Sequence, residues 1–139
     1  MLLPSLCVNL RLKREVFFLN KQLFFLMICV IYDMMLEQIQ KCFQLEKVLY
    51  TKHAKDEMEI EEFGEILEYE VCEVVLTGKV IENYPGDEPY PSCLIYGKTN
   101  VDRPVHVVCA YSEDDEITII ITVYQPDPDR WIDFERRKE

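Results

Sequence analysis

The sequence predicts an α+β fold in which N-terminal helices pack on a four-stranded antiparallel sheet. Between Met35 and Gly78, apolar residues recur at the spacing of helix faces. After Gly78, four consecutive segments rich in β-branched and aromatic residues predict strands, with no helical segment between them. Helices followed by a run of strands are typical of α+β domains, and 139 residues are enough for one domain with a core of its own.

Residues 1–33 differ in composition from the rest of the chain. Residues 16–19 and 23–32 are apolar, but an Asn-Lys-Gln sequence interrupts them, and the longer run of ten residues is shorter than the ~20 that span a membrane. Three interpretations stay open: an N-terminal anchor, an additional helix or strand, and translated upstream sequence from a start codon assigned too early. Ordinary globular sequence begins at Met34, which favours the third interpretation and no association with a membrane.

Three helices are predicted before the sheet. The first is an amphipathic helix over residues 34–49, and the α+β domain proper then covers residues 50–139. Thr51 is suited to cap a second helix that continues to the region of Glu62, and Gly78 ends a third helix. The apolar positions that define the first and third helices are Leu36, Ile39, Phe43, Leu49, Val71, Val74 and Val75.

Four strands are predicted, over residues 79–84, 93–97, 104–111 and 117–124. The acidic run between the last two is suited to a solvated turn, and a turn centred on Asp114 would place His106 opposite Thr122 and diagonal to Tyr124 on an outer face. The other face would then be apolar throughout and would form the core, with Val105, Val107, Cys109, Tyr111, Ile117, Ile119, Ile121 and Val123.

The negative charge is concentrated after the first 48 residues. Residues 1–48 hold six Lys/Arg and four Asp/Glu, a net charge of +2, whereas residues 49–139 hold nine and twenty-two, a net charge of −13. Such a domain repels nucleic-acid phosphates at long range, so RNA binding would need a local basic pocket. The acid excess is otherwise explained by solubility.

The six cysteines form no CxxC pair and are accompanied by only two histidines, which predicts no metal site. Scattered thiols of this kind are typical of small core residues in a reducing compartment. We therefore expect a cytoplasmic protein without a metal or other cofactor.

No phosphate-binding loop or hydrolase motif is present, so the candidate site residues are polar groups near the strands. His106 and His53 are either hydrogen-bonded structural histidines or general acid/base groups. Tyr84 and Tyr124 end strands, where a phenol anchors a loop or donates a proton. The remaining candidates are Trp131, which packs the tail or stacks on a base, and a cationic cluster for phosphate binding: Arg130, Arg136 and Arg137.

Several short motifs follow one another in the second half of the chain. They are His53-Ala54…Met58, Gly78-x-Val-Ile-Glu-x-Tyr-Pro85, Arg103-Pro104-x-His106-Val-Val, Thr122-Val-Tyr124-x-Pro-Asp127 and Trp131. This ordered set resembles domain-of-unknown-function family 4258 over about residues 50–137. That family is similar in layout to the RelE/ParE-type toxins of toxin–antitoxin pairs.

The resemblance implies a RelE-like toxin of a type II pair that binds a cognate antitoxin and cleaves RNA without a metal, the ribose 2′-OH attacking the neighbouring phosphate. His106 or His53 would act as general acid or base, Tyr124 would donate a hydrogen bond or proton, and Arg130 would stabilise charge. Substrate-binding roles fall to Arg103, Tyr84, Trp131 and Arg136. The alternative is a non-catalytic module whose acidic surface binds a basic protein.

The chain departs from the family pattern at two cationic positions. Glu57 stands where the family motif has arginine, and a second arginine is missing near Glu62 and Phe63. Both departures remove positive charge from the side on which phosphate would bind, and this weakens the expectation of tight RNA binding.

Overall fold

A computed structural model describes the backbone of residues 5–139 and the side chains from Leu19 onward. The chain divides into two compact units, with the boundary between Met34 and Met35. The elements are α1 (Ser5–Gln44), β1 (Val48–Tyr50), α2 (Lys52–Glu59), α3 (Glu68–Thr77), β2 (Lys79–Tyr84), β3 (Ser92–Lys98), β4 (Pro104–Ser112), β5 (Ile117–Tyr124), β6 (Trp131–Ile132) and β7 (Arg136–Arg137). The α+β class predicted from the sequence is confirmed.

The main sheet has five strands in the order β1-β5-β4-β3-β2, and it is mixed because β1 runs parallel to β5. The expectation of a four-stranded antiparallel sheet was therefore wrong. The error lies at the end of α1, which we expected to continue to Leu49 but which ends at Gln44, followed by Glu46 with a φ of 58°. A strand of three residues is too short to show alternation, and Leu49 also fits the preceding helical spacing.

The helix boundaries around the second and third helices agree with the predicted caps. The Thr51 side chain accepts a hydrogen bond from the backbone N–H of Ala54 at 3.1 Å, and α3 ends at Gly78. Gly97 lies beside the same helix end, where a Cβ would stand 2.7 Å from the carbonyl oxygen of Val74. The two glycines thus let the last turn of α3 lie directly on β2 and β3.

The core lies between the helices and one face of the sheet. The helices contribute Ile39, Ala54, Met58, Val71, Val74 and Val75, and the sheet contributes Cys93, Ile95, Val105, Val107, Cys109, Ile120 and Val123. The fully buried β4 residues of this group are those that the alternating pattern predicted. Tyr111, at the edge of this face, is only partly buried.

The predicted register of the last hairpin was wrong along β5. Val108 pairs with Thr122 but Cys109 pairs with Ile120, so Ile121 is an extra residue that forms a β-bulge. The bulge reverses the alternation on one side of it, because side chains change face with every residue. Thr118 and Ile120 consequently face the core instead of the expected Ile117, Ile119 and Ile121, and His106 pairs with Tyr124 rather than with Thr122.

The sheet face that carries His106 is not an outer face. The two-stranded sheet formed by β6 and β7 covers it, and the side chain of His106 has no exposed surface. The sequence analysis did not predict these strands because each has only two residues.

Most of helix α1 has apolar composition. Its residues Leu19–Gln44 are long and apolar enough to cross a membrane, a property also found in signal sequences and in core helices of soluble proteins. The last turns of α1 belong to the second unit, where Ile39 is fully buried in the core.

Candidate functional site

His106 and Tyr124 form the centre of the candidate site. They are paired across β4 and β5, and the Nδ1 atom of His106 lies 3.1 Å from the Tyr124 hydroxyl. The Nε2 atom lies 2.6 Å from the backbone carbonyl oxygen of Phe134. Because a carbonyl oxygen only accepts, Nε2 carries the ring proton, and Nδ1 accepts the hydrogen bond donated by Tyr124.

Burial keeps both members of this pair neutral. It lowers the pKa of His106 from 6.5 to about 4, against the opposing effects of the Phe134 carbonyl and of Glu82. Burial also raises the pKa of Tyr124 to about 12. At neutral pH the pair is therefore a buried imidazole and a buried phenol, each in its uncharged form.

Aromatic rings enclose His106 on several sides. The Trp131 ring lies 4.5 Å away, centroid to centroid, and is nearly perpendicular to the imidazole, and the Tyr96 ring lies 5.7 Å away in a similar orientation. The turn between β6 and β7 places two consecutive residues, Asp133 and Phe134, at positive φ angles of 53° and 61°. This left-handed conformation is unfavourable for Phe and directs its carbonyl oxygen to His106.

A second polar group adjoins the same face, at its edge. Arg137 donates from Nε to Glu82 at 2.8 Å and from a terminal nitrogen at 3.2 Å, and its guanidinium lies 4.7 Å from the centre of the Trp131 ring. The Tyr84 hydroxyl donates to the same carboxylate in a short hydrogen bond. Glu82 thus joins β2 to β7 through one bidentate ion pair.

The charges in this second group are strongly paired. Burial would raise the pKa of Glu82, but hydrogen bonds from Arg137 and Tyr84 outweigh burial and hold it below its ordinary value. Burial and the bond to Glu82 raise the pKa of Tyr84 to about 12, while the Glu82 carboxylate raises the pKa of Arg137. Glu82 therefore remains an anion, and the arginine that faces it is neutralised.

Three predicted site residues lie apart from His106. His53 is an exposed residue of α2, with Nε2 3.0 Å from the Oε1 atom of Glu57 one turn along the helix. That helix packs against the core face of the sheet, whereas His106 lies on the opposite face. Arg130 and Arg136 are both exposed, in the turn before β6 and in β7. The structure brings together five of the candidates: His106, Tyr124, Tyr84, Trp131 and Arg137.

Arg103 connects α3 to the end of β5. Its Nε donates to Gln125 at 2.7 Å, and one terminal nitrogen donates to the carbonyl of Glu65 at 3.0 Å and to the carboxylate of Glu70 at 3.3 Å. The other terminal nitrogen donates to the carbonyl of Gly64. With 16% and 9% of the side chains exposed, Arg103 and Glu70 form a largely buried pair whose donors are already used within the fold.

Sequence reasoning missed Glu82, Tyr96 and Phe134. Glu82 carried a usable signal, because residues two apart in a strand share a face and Tyr84 was already a candidate. Tyr96 is opposite His106 across β3 and β4, which only the pairing register reveals. Phe134 contributes a backbone carbonyl, for which no side-chain pattern exists.

The family model described as "Domain of unknown function (DUF4258)" matches residues 50–125, more than half of the chain. The chain belongs to this family. The DUF4258 match includes His106, Tyr124 and Glu82. The residues that contact them from the C-terminal segment lie beyond the end of the match. Trp131 and Phe134 cover His106, and Arg137 forms an ion pair with Glu82. No curated protein and no solved structure has significant similarity to the chain.

His106 and Tyr124 form a hydrogen-bonded acid/base pair that is covered by the rings of Trp131 and Tyr96. Neither ring nitrogen of His106 reaches solvent, because Nε2 donates to the Phe134 carbonyl and Nδ1 accepts from Tyr124, so proton exchange with a substrate requires one of these two hydrogen bonds to break. Within residues 19–139, no group of three or more His, Cys, Asp or Glu side chains is placed to hold a metal ion.

Proposed function

We propose that this DUF4258 domain is a protein-binding module whose α2–α3 side binds a basic, amphipathic partner segment. One observation carries the proposal. Between Lys55 and Lys79 there are nine Asp/Glu residues and no Lys or Arg. Among the exposed members of this run are Asp56, Glu59, Glu62, Glu65 and Glu68. This side therefore has a negative potential that attracts Lys and Arg.

Large apolar side chains stand among these acids. Ile60 is 78% exposed, Tyr69 60%, and Phe63 48%, and Leu67 is also exposed. Exposed apolar side chains within a charged rim are typical of protein-interaction surfaces. We define this surface as the acidic face, residues 56–69. A helix with Lys or Arg beside apolar residues complements it in both charge and hydrophobicity.

The acidic face supports binding of protein rather than of nucleic acid. Glu57, at the position where the family motif has arginine, lies beside His53 and would repel a phosphate approaching that histidine. A protein segment can supply apolar contacts as well as positive charge, whereas a nucleic-acid backbone cannot.

Fluorescence anisotropy with a designed amphipathic helix of leucine and lysine tests this function. We expect the full chain to bind the peptide with an affinity that falls as salt rises. The double substitution Glu62→Lys/Glu65→Lys should weaken binding roughly tenfold or more, because it places like charges against the peptide.

Glu113→Lys/Asp114→Lys is the matched control. It makes the same charge change in the exposed β4–β5 turn, away from the acidic face, and should leave most of the affinity intact. Equal losses in the two double variants would show attraction by net charge alone and would refute a specific binding face.

The second candidate function is that of a RelE-like toxin that cleaves RNA and is held inactive by an antitoxin. It is supported by the His106–Tyr124 pair next to Glu82, Tyr84 and Arg137. In this mechanism the ring of His106 is first released from its hydrogen bonds and removes the proton of a ribose 2′-OH. The 2′-oxygen bonds to the adjacent phosphorus as the bond from phosphorus to the 5′-oxygen breaks. The leaving 5′-oxygen takes a proton from the Tyr124 hydroxyl, and the His106 imidazolium then returns its proton to Tyr124. Arg137 would stabilise the transition-state charge after releasing Glu82.

Growth of a bacterial host during expression tests this second function. Expression should arrest growth, and His106→Ala should relieve the arrest. Tyr124→Phe is a second variant that keeps the ring packed and should also relieve it. Harmless expression of the wild-type chain, without cleavage of total RNA in vitro, would eliminate RNA cleavage and leave the binding function unaffected.

A further inference from the structure

We propose that the N-terminal part of α1 inserts into a lipid bilayer and anchors the domain to a membrane. The observation is the exposure of large apolar side chains over four turns of this helix. Each is more than half exposed: Leu19, Leu23, Phe24, Phe25, Leu26, Met27, Val30, Ile31 and Met34. In water, so large an exposed apolar surface is costly at about 25 cal/mol per Å².

The exposed apolar residues surround the helix rather than form a stripe. Leu23 through Met27 are five consecutive positions, and successive residues of a helix are separated by about 100°. The four steps between them total about 400° and so cover the whole circumference. A second copy of the helix would bury a seam of roughly two residues in seven, and packing on a globular surface would bury one face. Only a surrounding apolar solvent, such as lipid chains, covers all sides.

The segment from Val16 to Tyr32, which is apolar except for the polar residues 20–22, has the length of a short membrane span. From Val16 to Tyr32 there are seventeen residues, which a helix extends over about 25 Å. This is the lower end of the range that spans the hydrocarbon core of a bilayer. Charged residues mark both limits, with Glu15 before the stretch and Asp33 after it. Lys21, the one charged residue inside the stretch by sequence, lies in its N-terminal third, about 8 Å along the helix from Val16.

Basic residues precede this stretch. Arg11, Lys13 and Arg14 lie just N-terminal to it, opposite in sign to the net charge of −13 carried by residues 49–139. Cationic residues at the end of an apolar helix are attracted to anionic lipid headgroups. The charge distribution therefore favours insertion with the basic end at an anionic membrane surface.

Vesicle flotation with a native cysteine as a depth probe tests the anchor. The full chain, with Cys7 and Cys72 replaced by serine, is reconstituted into phosphatidylcholine vesicles containing a minor fraction of phosphatidylglycerol. Cys29 is then the exposed thiol among the side chains described, because Cys42, Cys93 and Cys109 are buried. We expect the chain to float with the vesicles after alkaline washing, and Cys29 to react at least about tenfold more slowly with a membrane-impermeant maleimide than it does in detergent-free buffer.

Two double variants distinguish insertion from general stickiness. Phe24→Glu/Phe25→Glu should abolish flotation, because each buried carboxylate costs a few kcal/mol in the membrane. Leu49→Glu/Val101→Glu removes two exposed apolar residues of the domain outside the acidic face and should float like the parent. The proposal is overturned if the parent chain remains in the aqueous fraction as a monomer or dimer. It is also overturned if the chain floats while Cys29 keeps its full reactivity, which would indicate surface adsorption.

Discussion

His106 is held by two hydrogen bonds that come from different parts of the chain. Tyr124 reaches it from the neighbouring strand and Phe134 from the turn that follows β6. The ring has no exposed surface, and the contacts with Trp131 and Tyr96 leave no room for the hydration that an imidazolium needs. In this structure His106 is therefore a structural group. Catalysis would require Trp131 and Phe134, which cover the ring, to move away from it.

The first prediction is that protonation of His106 destabilises the fold below neutral pH. Its pKa is about 4 in the folded state and near 6.5 in the unfolded chain, so between these values the unfolded chain binds more protons. The contribution of neutral His106 to the free energy of unfolding is complete above pH 6.5. It is lost as the pH falls towards 4, and the total loss is roughly 3 kcal/mol. Urea unfolding at a series of pH values measures this loss.

Two variants test whether His106 causes this dependence of the free energy of unfolding on pH. His106→Gln should flatten it between pH 6.5 and 4, while leaving the later loss that comes from the carboxylates. His53→Gln, at the exposed histidine, should keep the wild-type slope. A stability that is independent of pH over this range in the wild-type chain would contradict the buried, neutral state of His106.

The contact between α3 and the sheet depends on missing side chains. Gly78 and Gly97 let the C-terminal turn of α3 approach β2 and β3 so closely that a Cβ at either position would overlap the carbonyl oxygen of Val74. The helix contributes Val71, Val74 and Val75 to the core through this contact. A displacement of α3 would therefore loosen the packing along the centre of the sheet.

The second prediction concerns this close approach. Gly97→Ala should lower the free energy of unfolding by about 1–3 kcal/mol, because the new methyl group meets backbone atoms that cannot move independently. Gly86→Ala is the matched control, since a Cβ there meets nothing within 4 Å. Chemical denaturation of both variants compares them, and equal stability of the two would show that α3 does not lie on the sheet as described.

The charges of the whole molecule are separated along the chain. The first 48 residues are weakly basic, and the rest carries a net charge of −13. Several acids have partners, as in the Lys79–Glu135 and Arg137–Glu82 ion pairs, but no Lys or Arg lies within the acidic face itself, residues 56–69. Mutual repulsion among its exposed acids opposes compaction, and a basic partner would relieve it.

The third prediction is that salt stabilises the protein. Raising sodium chloride to about 0.5 M shortens the screening length to a few Å, which should stabilise the fold by about 1 kcal/mol and raise the Tm by roughly 3–4 °C. Differential scanning calorimetry measures the change. The Glu62→Lys/Glu65→Lys variant should show a smaller response because it begins with less repulsion, and a Tm that falls with salt would contradict this account.

The sequence predicted the parts of the fold that depend on local regularity. The Thr51 cap, the end of α3 at Gly78, the four long strands and the burial of Val105, Val107 and Cys109 all follow from short-range spacing and turn chemistry. The errors have long-range causes. β1 is defined by pairing with a strand some seventy residues later, and the Ile121 bulge is defined by the pairing of β5 with β4.

The sequence by itself determined the α+β class, the family, the concentration of acid after residue 48 and the apolar character of the N-terminal helix, because composition and short-range periodicity carry these properties. It also identified His106 and Tyr124 as candidates. Only the tertiary structure decided that they are covered, since a backbone carbonyl at Phe134 and the ring of Trp131 come from a segment with no periodic pattern. Burial is a property of what packs on a residue, and packing is not encoded at any single position.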